Sequence, residues 1–298
     1  MRELVRVEVA LPEKCFSPQK GTRSTNDFPE FLCSLCLFVA IFSTDNSTFE
    51  AKRVEVKVFV GTSGWHYKHW LEVFYPAGTR GSEMFQFYAR HFNTVEINNS
   101  FYHLPTANTF DNWRESSPRG FLFAVKASRF ITHMKKLKDP TSSSEKFFDV
   151  ANRLGGKLGP VLFQLPPRWQ VNVERLDSFL ELMPAEHKYT VEFRDESWFV
   201  PEVLEVLRRR KVALCIHDFA EMKVPHEITA NFAYIRFHGP TSAKYAGEYS
   251  TSQLQTWADR IKGWGLSTVY AYFNNDPGAA AVRNALTLRA LLEPQKGT

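Results

Sequence analysis

Residues 189–194 read Tyr-Thr-Val-Glu-Phe-Arg, and this short stretch decides the fold. Apolar and charged side chains alternate, as they do in a strand whose two faces meet different surroundings. Val191 and Phe193 suit a layer of helices, which sends Thr190, Glu192 and Arg194 to the opposite face. Residues 94–98, Thr-Val-Glu-Ile-Asn, repeat the pattern: Val95 and Ile97 on one side, Thr94, Glu96 and Asn98 on the other. Charged faces of this kind are costly inside an open sheet covered on both sides, but they suit the mouth of a closed barrel.

Working outward, short runs rich in Val, Ile, Phe and Tyr alternate with longer helical stretches from Val58 onward. Eight strands are expected: Val58–Gly61, Thr94–Asn98, Phe121–Lys126, Val161–Leu165, Tyr189–Arg194, Val212–His217, Ala233–His238 and Thr268–Asn274. Helices are expected near Ser82–His91, Ala107–Ser116, Ser144–Leu154, Val173–Leu182, Pro201–Arg210, Ser250–Trp264 and Gly278–Leu292. Ser82 is placed as an N-cap and Pro201 in a first helical turn. The connection after the sixth strand is too short for a full helix. Eight βα units in about 240 residues give an α/β fold, a (β/α)8 TIM-type barrel irregular after strand 6; an open doubly wound sheet is the alternative.

The same parity applied to every strand sends Lys126, Gln164, His217, Arg236, His238 and Asn274 inward beside Glu96, Asn98, Glu192 and Arg194. Most stand at C-terminal strand ends, where barrel enzymes carry their sites. Asp218 and Asp276 lie just beyond strand ends. Arginine forks suit carboxylates and phosphates, so the mouth reads as a site for a small anionic ligand. A self-neutralising ionic network is the structural alternative. Cations among the histidines and carboxylates argue against a bound metal; no cofactor is expected, and a divalent metal remains the alternative.

Two loops add detail. The first, residues 61–70, reads GTSGWHYKHW and offers Trp65, Tyr67 and Trp70 as flat surfaces. The third, residues 126–140, carries Lys126, Arg129, Lys135, Lys136 and Lys138 against Asp139. That cluster suits phosphates, so nucleic acid is a second partner class.

The chain has 298 residues, a formal charge of +5 and 44% hydrophobic residues, which excludes fibrous and disordered classes. Of four cysteines only Cys215 lies beyond residue 36, as in a reduced, cytoplasmic protein. The Cys33-x-x-Cys36 pair has no second pair and no nearby histidine for zinc. Its apolar run, Phe31–Phe42, is too short for a membrane span, so no membrane partner is expected. Residues 1–57, with eight basic and eight acidic side chains and no sustained period, read as a poorly structured extension to a barrel at 58–298, and as the product of a mis-assigned gene start. Oligomeric state is left open.

Seven ordered segments make the chain recognisable: GTSGWHYKHWLEVFYP, NTVEINNSFYHLP, FAVKASRFITHMKKL, LGPVLFQLPPRW, TVEFRDESWF, YIRFHGP and YAYFNND. Together they resemble the YecE-like family, domain of unknown function 72. The resemblance implies a TIM-type barrel and no settled activity. It also implies a set of shared positions: Gly61, Ser63, Gly64, Trp65, Glu96, Asn98, Tyr102, Lys126, Gln164, Glu192, Arg194, Trp198, Arg236, His238, Asn274 and Asp276. From these we expect an enzyme of hydrolase, isomerase or lyase type, with Glu96, Glu192, Lys126 and His238 as catalytic groups. Ser63, Trp65, Asn98, Tyr102, Arg129, Gln164, Arg194, Trp198, His217, Arg236, Asn274 and Asp276 are expected around the substrate. A looser likeness to endonuclease IV and xylose isomerase implies, as an alternative, a metal-dependent phosphodiesterase.

Overall fold

A computed structural model describes residues 56–293 except 220, 221, 242 and 244. The expected extension, the possible gene start and the Cys33-x-x-Cys36 pair lie outside the described residues. Among these no helix is long and apolar enough to cross a membrane.

Eight strands are present: β1 Lys57–Thr62, β2 Thr94–Ile97, β3 Leu122–Lys126, β4 Leu158–Gln164, β5 Tyr189–Glu192, β6 Ala213–Asp218, β7 Ala233–Phe237 and β8 Thr268–Phe273. Each pairs in parallel with its neighbours, in the order β1-β8-β7-β6-β5-β4-β3-β2. The helices are α1 Gly81–His91, α2 Asn99–Tyr102, α3 Ala107–Ser116, α4 Pro140–Ala151, α5 Val173–Glu181, α6 Pro201–Arg210, α7 Thr251–Gly263 and α8 Ala280–Leu292. Between β6 and β7 the described residues hold no helix, as the short connection requires.

Strand parity sorts the core into two clusters. Val58, Val60, Val95, Ile97, Val191, Phe193, Ile235 and Phe237 join the helices in one. Phe59, Ala124, Leu162, Ala213, Cys215, Tyr234, Tyr270 and Tyr272 fill the lower interior of the barrel in the other. The polar residues of the same parity lie above that plug.

Closure between β1 and β2 is made differently from the other seams. Tyr88 on α1 inserts its hydroxyl between them, accepting from Thr62 N–H at 3.0 Å and donating to the Thr94 carbonyl at 3.0 Å. A Cβ at residue 61 would lie 2.4 Å from the Thr94 carbonyl oxygen, so only Gly61 permits the approach. At the upper end Ser63 and Glu96 form a parallel bridge.

Two local expectations are corrected. Ser82 is not the cap of α1: Arg80 occupies that position, and Glu83 Oε2 reaches back to accept from its N–H at 2.9 Å. Helix α4 begins at Pro140, not Ser144, because proline is tolerated in a first turn.

Candidate functional site at the barrel mouth

Arg236 on β7 spans the barrel interior. Its Nη1 donates to Glu192 Oε2 on β5 at 2.5 Å, and its Nη2 to Glu96 Oε1 on β2 at 2.8 Å. All three side chains are essentially sealed from solvent. Glu96 accepts further bonds from the Ser63 hydroxyl and from Tyr234 at 2.6 Å; Glu192 accepts from Gln164 at 2.9 Å and from Arg194 Nε. Burial pushes the Glu192 carboxyl up, but the two guanidiniums outweigh it and hold the group well below the ordinary range. Arg236 is correspondingly locked in its charged form against the pull of burial.

Beside this centre lie two buried histidines. Arg194 Nη2 stands 3.1 Å from His238 Nε2, and an arginine can only donate, so that nitrogen accepts. Asn274 Nδ2 lies 3.4 Å from the other ring nitrogen. His217 Nε2 is 2.9 Å from the Phe193 carbonyl, which can only accept; Nε2 therefore carries the proton and Nδ1 is a bare lone pair. That Nδ1 is buried without a hydrogen-bond partner among the described residues, as is Asn98 Oδ1. Burial lowers His217 to about 4 and His238 well below its usual value, so both rings are neutral.

Lys126, at the end of β3, is 7% exposed. Its Nζ sits 3.9 Å above the centre of the Phe101 ring and makes no hydrogen bond or ion pair among the described residues. Burial first, then repulsion from Arg236, lower its pKa to about 7 despite the attraction of Glu192 and Glu96. The following loop opens with a π-type turn, Phe130–Met134, and then holds Lys136, Leu137 and Asp139 at φ 46°, 62° and 46°. Left-handed backbone at non-glycine residues stores of order 1–3 kcal/mol each and concentrates at functional sites. Arg129, Lys136 and Lys138 on this loop are exposed.

The model of a protein of unknown function, DUF72, matches residues 59–298. The chain belongs to the DUF72 family. It is 28% identical to the UPF0759 protein YunF of Bacillus subtilis over 270 residues, covering 79% of this chain and 95% of that protein. With YecE of Escherichia coli K12 the identity is 25% over 249 residues, covering 75% and 88%. The crystal structure of a DUF72 family protein from Thermotoga maritima superposes with a TM-score of 0.72 at 29% identity, covering 80% of this chain and 99% of the other. A DUF72 family protein from Enterococcus faecalis gives 0.68 at 20% identity, covering 81% and 100%.

Within the DUF72 barrel, Ser63 and Asn98 join the centre, with Asn98 Nδ2 donating to Ser63 Oγ at 2.8 Å. Several expected residues stand elsewhere. Trp198 is fully buried, stacked on the outward-facing Phe193 with its Nε1 bonded to the Trp169 carbonyl, so it braces the wall from behind and does not reach substrate. Trp65 packs against Phe85 and Trp113 at 5.2 and 5.4 Å. Asp276 accepts from Trp70 Nε1 at 2.6 Å and pairs with His69 at 2.7 Å, clipping the first and eighth loops together. Tyr102 is 65% exposed and Arg129 is also exposed. Arg236 gives both Nη groups to carboxylates and so organises the mouth, with only its buried Nε left without a partner among the described residues. The sequence reading missed Tyr234, which shares parity with Arg236, and His69, which carries no such signal.

Glu192, His217 and His238 offer donor atoms within 4.8 Å of one another, a two-histidine, one-carboxylate set. That set is already engaged in part by Arg194. Its guanidinium binds Glu192 and His238, and Arg236 holds the other Glu192 oxygen.

Proposed function

We propose that the barrel mouth is the active site of an enzyme acting on a small anionic, hydroxyl-bearing substrate. The observation that carries this reading is the unpartnered Lys126. The two glutamates are balanced by Arg236 and Arg194, which leaves the Lys126 ammonium as surplus charge in a nearly closed site. An anion there regains the Coulomb energy that burial takes from the lysine. His217 Nδ1 and Asn98 Oδ1 are buried acceptors in need of donors, which substrate hydroxyls supply. Arg194 is one-tenth exposed, with Nε and Nη2 engaged by Glu192 and His238.

Glu96 and Glu192 each accept three hydrogen bonds, and Glu192 is a weak base at neutral pH. Proton transfer therefore falls to Lys126, with the glutamates fixing the electrostatic frame and His238 holding Arg194 through Nε2. Cys215, free and buried among the described residues, fits a reducing, cytoplasmic setting as part of the same reading. Thermal-shift measurements with inorganic phosphate and phosphorylated sugars test it. Stabilisation is expected in the native protein and lost in Lys126→Met; stabilisation by none of them, or unchanged stabilisation in the variant, would overturn it.

The exposed rim favours a second reading. Arg129, Lys136 and Lys138 share the third loop with exposed Phe130 and Met134, a mixture that suits single-stranded nucleic acid. Binding of that kind falls steeply between about 50 and 200 mM salt; occupation of the buried mouth does not.

A further inference from the structure

We propose that Lys126 is a covalent catalyst, its amine condensing with the carbonyl carbon of an anionic aldehyde or ketone bound in the mouth. This rests on the reading above and narrows its substrate class to carbonyl compounds.

A lysine buried for structural reasons is ordinarily paired with a carboxylate. Here two carboxylates share the interior with Lys126, yet every hydrogen bond they accept from a charged group comes from Arg236 or Arg194. The amine is therefore left as the uncommitted nucleophile of the site. It stands at the C-terminal end of a barrel strand, where a ligand entering the mouth meets it. Burial first, and then repulsion from Arg236, keep the amine partly unprotonated at neutral pH, which an imine-forming lysine requires.

The surroundings suit the step. Lys126 nitrogen adds to the carbonyl carbon, and the carbonyl oxygen takes up a proton to give a carbinolamine. The nitrogen lone pair then forms the C=N bond as the oxygen, protonated again, leaves as water. Starting from the ammonium, the net change is ammonium plus carbonyl to iminium plus water, with no change in charge. The Phe101 ring face, 3.9 Å from Nζ, stabilises an iminium as it does an ammonium. The bare Nδ1 of His217 gives the mouth an acceptor for a proton or a substrate hydroxyl.

Reductive trapping tests the proposal. The full chain is incubated with dihydroxyacetone phosphate, or with pyruvate, and sodium cyanoborohydride, then weighed intact and mapped by peptide mass spectrometry. The expected result is a saturable secondary-amine adduct, one per chain, on Lys126, forming faster as pH rises to about 7 and levelling off above it. Lys126→Arg is expected to lose the adduct. Labelling confined to exposed lysines such as Lys136 and Lys138, with Lys126 unmodified, would overturn the proposal, and the native protein alone decides this even if the variant does not fold. Phosphate stabilisation that depends on Lys126 without trapping leaves the anion site standing and removes the imine. Trapping without phosphate stabilisation supports the imine and removes the phosphate preference.

Discussion

The two halves of the barrel interior are built from the same strands at the same parity, yet they obey different physics. In the lower half Phe59 stacks on Tyr270 at 5.1 Å, and Leu162, Cys215 and Tyr272 complete an apolar plug. In the upper half the next inward residues along the strands are Glu96, Lys126, Glu192, His217 and Arg236, all buried. The plug contributes stability through area removed from water. The mouth holds ions that hydrocarbon could replace at little or no loss. A fold that keeps both has separated groups that hold it together from groups that cost it stability.

The sharpest way to break this contrast is Arg236→Met, which strands two buried carboxylates. A loss of about 3–5 kcal/mol is expected in urea unfolding at neutral pH, most of it recovered when Glu96→Gln and Glu192→Gln are added. In the plug, Phe59→Ala is expected to cost about 3–4 kcal/mol through its cavity, with the phosphate-induced thermal shift of the mouth unchanged. Lys126→Met carries the opposite sign. The folded pKa of about 7 lies below the ordinary 10.5, so the cost of the lysine is fully present below pH 7 and fades as pH rises towards 10.5. The variant is therefore expected to be more stable by ~2–4 kcal/mol at pH 7 and below, with ligand binding lost.

Acid titration gives the smallest effect. His217 stays neutral down to about 4 against an ordinary 6.5, so its contribution is present above pH 6.5 and is lost as pH falls towards 4. The loss is about 2 kcal/mol near pH 5. His238 acts in the same direction, and Glu192 joins below its ordinary 4.5. Melting temperatures across this range measure the sum, and a flat profile would show that these rings are not neutral in the folded state.

Strand parity was legible because a period of two survives in the sequence whatever the loops do, and it placed the inward polar residues. Their roles were not legible. Glu96, Glu192 and Arg236 lie on three strands that are not neighbours, and only closure of the barrel shows one guanidinium spanning both carboxylates. The rings were misjudged for a related reason. Trp198 follows an inward arginine in the chain but turns back onto Phe193, and Tyr234 looks apolar in a pattern while its hydroxyl serves Glu96. The left-handed run from Lys136 to Asp139 left no sequence signal at all.

The hydroxyl of Tyr88 joins β1 to β2 where other strand pairs have a backbone ladder. The barrel is thus a hoop fastened by a clasp that belongs to α1, and the fastening sits below Ser63 and Glu96, which anchor one side of the mouth. Seating of that outer helix therefore sets the spacing of the ionic centre, so substitutions on α1 at a distance from the mouth can retune it.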